Sequence, residues 1–218
     1  MEEYVSLKKK IASELLGSYF YVFAVTAGFV VDELTKELRH VGVAILAGSI
    51  KTALIYAFIH ISGAHNNPVT SISNMILKKL HPKVTMIYIV TQCIGAILAS
   101  VTVLLLFGKI DDLGATLPKG SSTQSFILEV ILTFLLVIVI LCSSVHKRAN
   151  KSFGPIAVGL VIGLETMFAG PICGASMNPA RSLGPAIVSG NLSHLWIYIV
   201  APILGAVIAT YVYKSVLE

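Results

Sequence analysis

Charge is scarce in this chain: only 12% of its 218 residues are Asp, Glu, Lys or Arg. That is about half the share of an ordinary soluble domain, which excludes a solvated globule. Cysteine is scarce as well. Cys93, Cys142 and Cys173 lie in apolar surroundings and are too few for a disulfide framework or a zinc site. They read as packing residues, although Cys173, just ahead of a polar box described below, is also placed to face a lumen. There is no Ser/His/Asp set, no phosphate-binding loop and no metal-ligand spacing, so nothing points to an enzyme and no cofactor is implied.

What fills the chain instead is apolar. Hydrophobic residues make up 56% of it, and the mean hydropathy is +0.85. Six runs stand out, over 11–31, 41–62, 84–107, 126–145, 156–170 and 195–212. Most are long enough to cross a hydrocarbon core of about 30 Å; the fifth is short and is expected to extend into its flanks. The first run is long and contains Glu14, which argues against a cleavable leader. Tyr88, Trp196 and Tyr198, near the ends of runs, read as interfacial anchors.

The net charge of +5 is explained by topology, with no nucleic-acid partner implied. With six spans and an inner N-terminus, the inner segments hold ten basic residues: Lys8, Lys9, Lys10, Lys78, Lys79, Lys83, Lys147, Arg148, Lys151 and Lys214. The outer loops hold four, Lys36, Arg39, Lys109 and Lys119. This asymmetry predicts cytoplasmic termini, and the short tails lean towards a microbial plasma membrane.

Two boxes carry the functional signal: Ser62-Gly-Ala-His-Asn-Asn67-Pro68-Val69 and Gly174-Ala-Ser-Met-Asn178-Pro179-Ala180-Arg181. Each breaks a helix inside apolar sequence. A membrane protein tolerates such a break only where the backbone is buried in protein or lines a water-filled cavity. Each proline can open a short half-helix, over 69–77 and 180–188, where its missing N–H does no harm. Asn67 and Asn178 would cap them and leave amide N–H donors facing a lumen. The boxes lie 111 positions apart, and Glu14 and Glu129 precede them by 53 and 49. Three spans separate the halves, over 11–107 and 124–214, so the second enters the membrane in the opposite sense. Such an inverted repeat puts the working site near the midplane. The expected fold is an all-α membrane protein, one channel domain over 1–218 with six spans and two half-helices. Glu14 and Glu129 read as acceptors for backbone N–H groups of the broken loops, with proton transfer as the alternative.

On these residues the chain resembles the aquaporin and aquaglyceroporin family, the major intrinsic proteins, over essentially its whole length. The second box is similar to that of plant nodulin-26-like proteins and their bacterial relatives. The resemblance implies a pore in each protomer of a homotetramer. It also implies a narrow ring formed by Ala47, Thr166, Ala175 and Arg181, counted from the boxes. Strict water channels carry a bulky aromatic and a histidine where this chain has Ala47 and Thr166. The wider ring suits small neutral solutes such as glycerol, urea, boric acid or arsenous acid, besides water. A strict water channel is the runner-up, and close helix packing is an equal reading of Ala47 alone. The first box departs from the family in Val69, expected to add methyl groups where the half-helices touch, and in the polar Asn66.

Lys51 lies four residues after Ala47, on the same stripe, and is costly in a membrane unless paired or wet. A buried pair with Glu165 is one reading; a luminal charge that gates the pore or admits anions is the other. His65 reads either as a polar step in the inner vestibule or as a residue holding the loop; His60 lies beside it. A coupled transporter would want titratable groups converging on the pore, and a purely structural membrane protein has no use for a wide ring.

Overall fold

The computed structural model describes residues 5–218. Eight helices follow in order: α1 (Leu7–Thr35), α2 (Arg39–Ser62), α3 (Pro68–Ile76), α4 (Pro82–Phe107), α5 (Ser122–Ile140), α6 (Gly154–Cys173), α7 (Pro179–Ser189) and α8 (Leu195–Val212). Among the described residues there is no strand. All but the two short ones, α3 and α7, are long and apolar enough to span a bilayer, α5 continuing to Val145 and α8 to Leu217 through wider terminal turns. The fifth span extends at both ends beyond its apolar run, as expected.

Local chemistry sets the helix ends. Ser6 caps α1 by accepting from the Lys9 N–H, and Ser121 caps α5 by accepting from Gln124 N–H at 3.1 Å. Gly63 and Gly174 close α2 and α6 in the left-handed conformation, at φ 88° and 85°, which glycine adopts without steric cost.

The spans are apolar on both sides. Phe20, Ile45, Met86, Ile131, Leu164 and Ile208, one from each, are exposed on the outer surface. In water that would be an aggregation-prone surface; in a bilayer, lipid is the solvent and the arrangement is stable. Packing inside relies on close backbone approach. A Cβ on Gly95 of α4 would collide with the Leu15 carbonyl of α1, and one on Gly205 of α8 with the Val130 carbonyl of α5. The same contact thus recurs in each half. Helices α2 and α6 meet at Gly48 and Gly159, and one buried apolar cluster draws on both halves.

Two of the three expected anchors are not at the surface. Tyr88 is buried and donates its hydroxyl to Ser62 O at 3.0 Å. Tyr198 is also fully buried. Apolar sequence does not distinguish a bundle-facing from a lipid-facing tyrosine. Trp196 is exposed and stacks on Phe126, 5.8 Å between ring centroids.

Candidate functional site

The two broken loops meet in the middle of the bundle. Asn67 caps α3 by accepting from Val69 N–H at 3.1 Å, and Asn178 caps α7 by accepting from Ala180 and Arg181 N–H at 3.1 and 3.3 Å. Pro68 and Pro179 occupy the first helical positions. The amide groups then cross over. Asn67 Nδ2 donates to Met177 O at 2.8 Å, and Asn178 Nδ2 donates to Asn66 O at 3.0 Å. One N–H of each amide therefore fastens the opposite loop, and only the other is left for a lumen, one fewer than the sequence suggests.

Each loop carries matched left-handed backbone. Ala64 and Asn66 have φ 49° and 46°; Ala175 and Met177 have φ 43° and 51°. Such conformations cost of order 1 kcal/mol each for residues with a Cβ. The alternation turns successive N–H groups to one side, where a carboxylate collects them. Glu14 accepts from His65 and Asn66 N–H at 2.9 and 2.7 Å, and also from Ser62 Oγ and Gln92 Nε2. Glu129 accepts from Ser176 and Met177 N–H at 2.7 and 2.9 Å. Both carboxylates are fully buried behind their loops.

Two cavities line up along this axis. One of ≈ 10 Å³ is bounded by Tyr21, Lys51, Asn67, Ile162, Met177 and Asn178. A larger one of ≈ 170 Å³ lies towards the end carrying His65 and the α5–α6 turn, called inner here. Lys51, His65, Thr70 and Asn74 give it polar walls among Ile55 and Ile140. The small one is about the size of a single water position, so the loops form a constriction with a vestibule on one side.

Lys51 borders both cavities and is 4% exposed. The pair with Glu165 is not made. Lys51 Nζ donates to His65 O at 2.9 Å, and among the described residues the one salt bridge is Lys36–Glu33. Glu165 is buried with neither carboxylate oxygen hydrogen-bonded. A backbone carbonyl in an unwound loop has no sequence signature, so this partner was not legible. His65 is held on three sides: its N–H by Glu14, its C=O by Lys51, and its ring Nδ1 by Ser71 Oγ at 2.9 Å. His60 is exposed at the inner mouth.

On the other side of the Asn pair, Arg181 Nη1 donates to Gly114 O at 2.8 Å, and its guanidinium carbon lies 5.7 Å from the Phe29 ring centroid. The loop carrying Gly114 is itself tied to the second box through Thr116 and Ser182 hydroxyls at 2.7 Å. Ala47 and Ala175 belong to the buried cluster of the bundle, and Thr166 is buried in α6. The Thr166 carbonyl accepts from His40 Nε2 at 2.9 Å. His40 and Gly114 escaped the sequence reading, which looked only along the spans and boxes; the histidine opening α2 was the available signal.

Cys173 is fully buried, its thiol directed at Ala169 O one turn back, and it lines neither of the two cavities described above. One expectation is corrected. Val69 does not sit where the half-helices touch. It packs with Val137, Leu141, Ala206 and Ala209, on α5 and α8, because the first turn of α3 turns that side chain away from the Asn pair. Ala180, its counterpart, enters the central cluster.

Comparison with known proteins agrees with this architecture. The sequence profile of the family described as Major intrinsic protein matches residues 1–213. Nodulin-26 of Glycine max is 41% identical over 214 residues, covering 97% of this chain and 79% of that protein. Aquaporin NIP1-2 of Arabidopsis thaliana is 42% identical over 221 residues, covering 97% and 75%. Among solved structures, the aquaglyceroporin from Plasmodium falciparum superposes with a TM-score of 0.84 at 26% identity, covering 97% of each chain.

Proposed function

The chain belongs to the major intrinsic protein family, an integral multi-pass channel for water and small solutes and not an enzyme, and on that premise we propose that it passes small uncharged polyhydroxyl solutes of glycerol size besides water. One observation carries this reading. Arg181 is fixed by the Gly114 carbonyl, while the three positions counted with it around the lumen are the small residues Ala47, Thr166 and Ala175. An arginine fork offers N–H donors to hydroxyl oxygens, one threonine hydroxyl adds a partner, and two alanines leave room for the carbon side. Glycerol, boric acid and arsenous acid share that chemistry, and urea offers its carbonyl oxygen to the same donors. The name of the superposed aquaglyceroporin supports a lumen of this width.

Selection against ions follows from the same parts. Arg181 and the facing N-terminal ends of α3 and α7 repel cations. The Asn67 and Asn178 amides present donors on either side of a one-water constriction, which interrupts a chain of proton hops. The two repeats, 11–107 and 124–214, form a single channel domain, assembled as a homotetramer. The basic residues put both termini on the cytoplasmic side of a plasma membrane.

Stopped-flow light scattering on proteoliposomes tests the substrate. Glycerol and boric acid gradients should produce reswelling that a sucrose shock does not, and Asn178→Asp should abolish it. Fast water flow without solute entry would make the protein a strict water channel.

A further inference from the structure

Building on the channel reading, we propose that the inner vestibule is an anion-binding site, in which the Lys51 ammonium holds a small monovalent anion such as nitrate or the carboxylate of a short acid. Lys51 is buried in the middle of a span, yet borders open space on two sides. Among the described residues its one hydrogen bond is to His65 O, and no carboxylate lies within 4.0 Å of it. Among the described residues, no Asp or Glu lines either cavity. Glu14, the carboxylate on the other end of residue His65, is occupied by four donors behind the loop. Glu129 is bound to the second loop, and Glu165, the third buried carboxylate, makes no hydrogen bond to Lys51.

An ammonium has three N–H donors; one goes to His65 O, the Tyr21 ring lies 5.4 Å away on the constriction side, and the ≈ 170 Å³ cavity borders the same side chain. A buried charge without a counter-charge is costly and recruits one where space and polarity allow. The vestibule allows both. Thr70 of the first turn of α3 and Asn74 add polar groups to its wall. The volume admits a small anion with a few waters.

The fold does not require this charge. Displaced by the 111 positions that separate Asn67 from Asn178, Lys51 corresponds to Ile162, which borders the same small cavity from α6. The second half builds the constriction with an isoleucine; the first uses a cation. An anion on Lys51 stands in the path of neutral solutes, so anion binding and solute flux compete.

Glycerol permeability of proteoliposomes should be measured at fixed ionic strength while gluconate is replaced by nitrate. Wild-type flux should fall roughly tenfold at ten times the half-blocking concentration, as occupancy of one site demands. Lys51→Met should abolish the block, read as the ratio of flux in nitrate to flux in gluconate within each protein, whatever its absolute flux; Lys51→Ile, which copies the second half, serves if the methionine variant folds poorly. The second readout needs no flux: the melting temperature in detergent should rise with nitrate in the wild type relative to the Lys51 variants. A nitrate response that is absent from the wild type, or equal in the variants, in both assays overturns the site. Wild-type protein that passes no glycerol in gluconate but shows the Lys51-dependent melting shift keeps the site and overturns the solute-channel reading.

Discussion

The two halves of the molecule solve one problem with different means. Each must hold a left-handed loop behind an Asn-Pro half-helix. In the second half the carboxylate, Glu129, accepts only two loop N–H groups, and Ser176 Oγ adds bonds to the Asn178 main chain and to Ser182. The first surrounds Glu14 with four donors, including Ser62 and Gln92. Around the loops the contrast continues. Met177 is matched in the first half by Asn66, Leu132 by Gly17 and Ile162 by Lys51. The shared parts, one carboxylate, one capping asparagine and one proline per half, are what the geometry needs. The unshared parts show where the halves have diverged: Asn66 and Lys51 are polar in the first, whereas Arg181 and Glu165 in the second stand opposite Thr70 and Leu54.

Substitutions at matched positions test that division. The largest effect is expected at the carboxylates. At about 1–3 kcal/mol for each buried donor left unpaired, Glu14→Ala should cost on the order of 4 kcal/mol and Glu129→Ala about half as much, read by thermal unfolding in detergent. Equal losses would mean that Ser62 and Gln92 contribute nothing to the first loop. Next comes Ile162→Lys, which gives the second half the cation of the first. A charge in mid-span costs about 3 kcal/mol, so both yield and glycerol flux should drop; unaltered flux would remove Ile162 from the lumen wall.

Smaller effects distinguish how each half is packed. A Cβ at Gly17 would collide with the Asn66 side chain, whereas Leu132, at the matching place, is a fully buried core residue. Gly17→Ala should therefore destabilise by overpacking, about 1–3 kcal/mol, and Leu132→Ala by leaving a cavity, about 2–5 kcal/mol. A neutral Gly17→Ala would show that the Asn66 side chain moves freely. Smallest of all, Val69→Ala should cost about 1 kcal/mol in the α5–α8 contact and leave the ratio of glycerol to water permeability unchanged; a changed ratio would put Val69 back at the constriction.

Much of the fold was legible in the sequence. Six long apolar runs and two Asn-Pro breaks leave little choice in a solvent that tolerates no unpaired backbone, and the half-helices expected over 69–77 and 180–188 lie at Pro68–Ile76 and Pro179–Ser189. What escaped was orientation. Nothing in an apolar pattern tells that Tyr88 and Tyr198 point inward, or that Val69 turns towards α8. The partners that matter most here are main-chain carbonyls, His65 O for Lys51 and Gly114 O for Arg181. Every residue has one, so sequence pairs charges with charges, as Lys51 with Glu165, and misses them.

The most direct test of the account concerns the width of the lumen beside Arg181. The ratio of glycerol to water permeability should be measured in proteoliposomes for the wild type and for Ala47→Phe. The account predicts that the phenylalanine lowers the ratio at least tenfold, a barrier rise of about 1.4 kcal/mol, while water still passes. A ratio that Ala47→Phe leaves unchanged would contradict it.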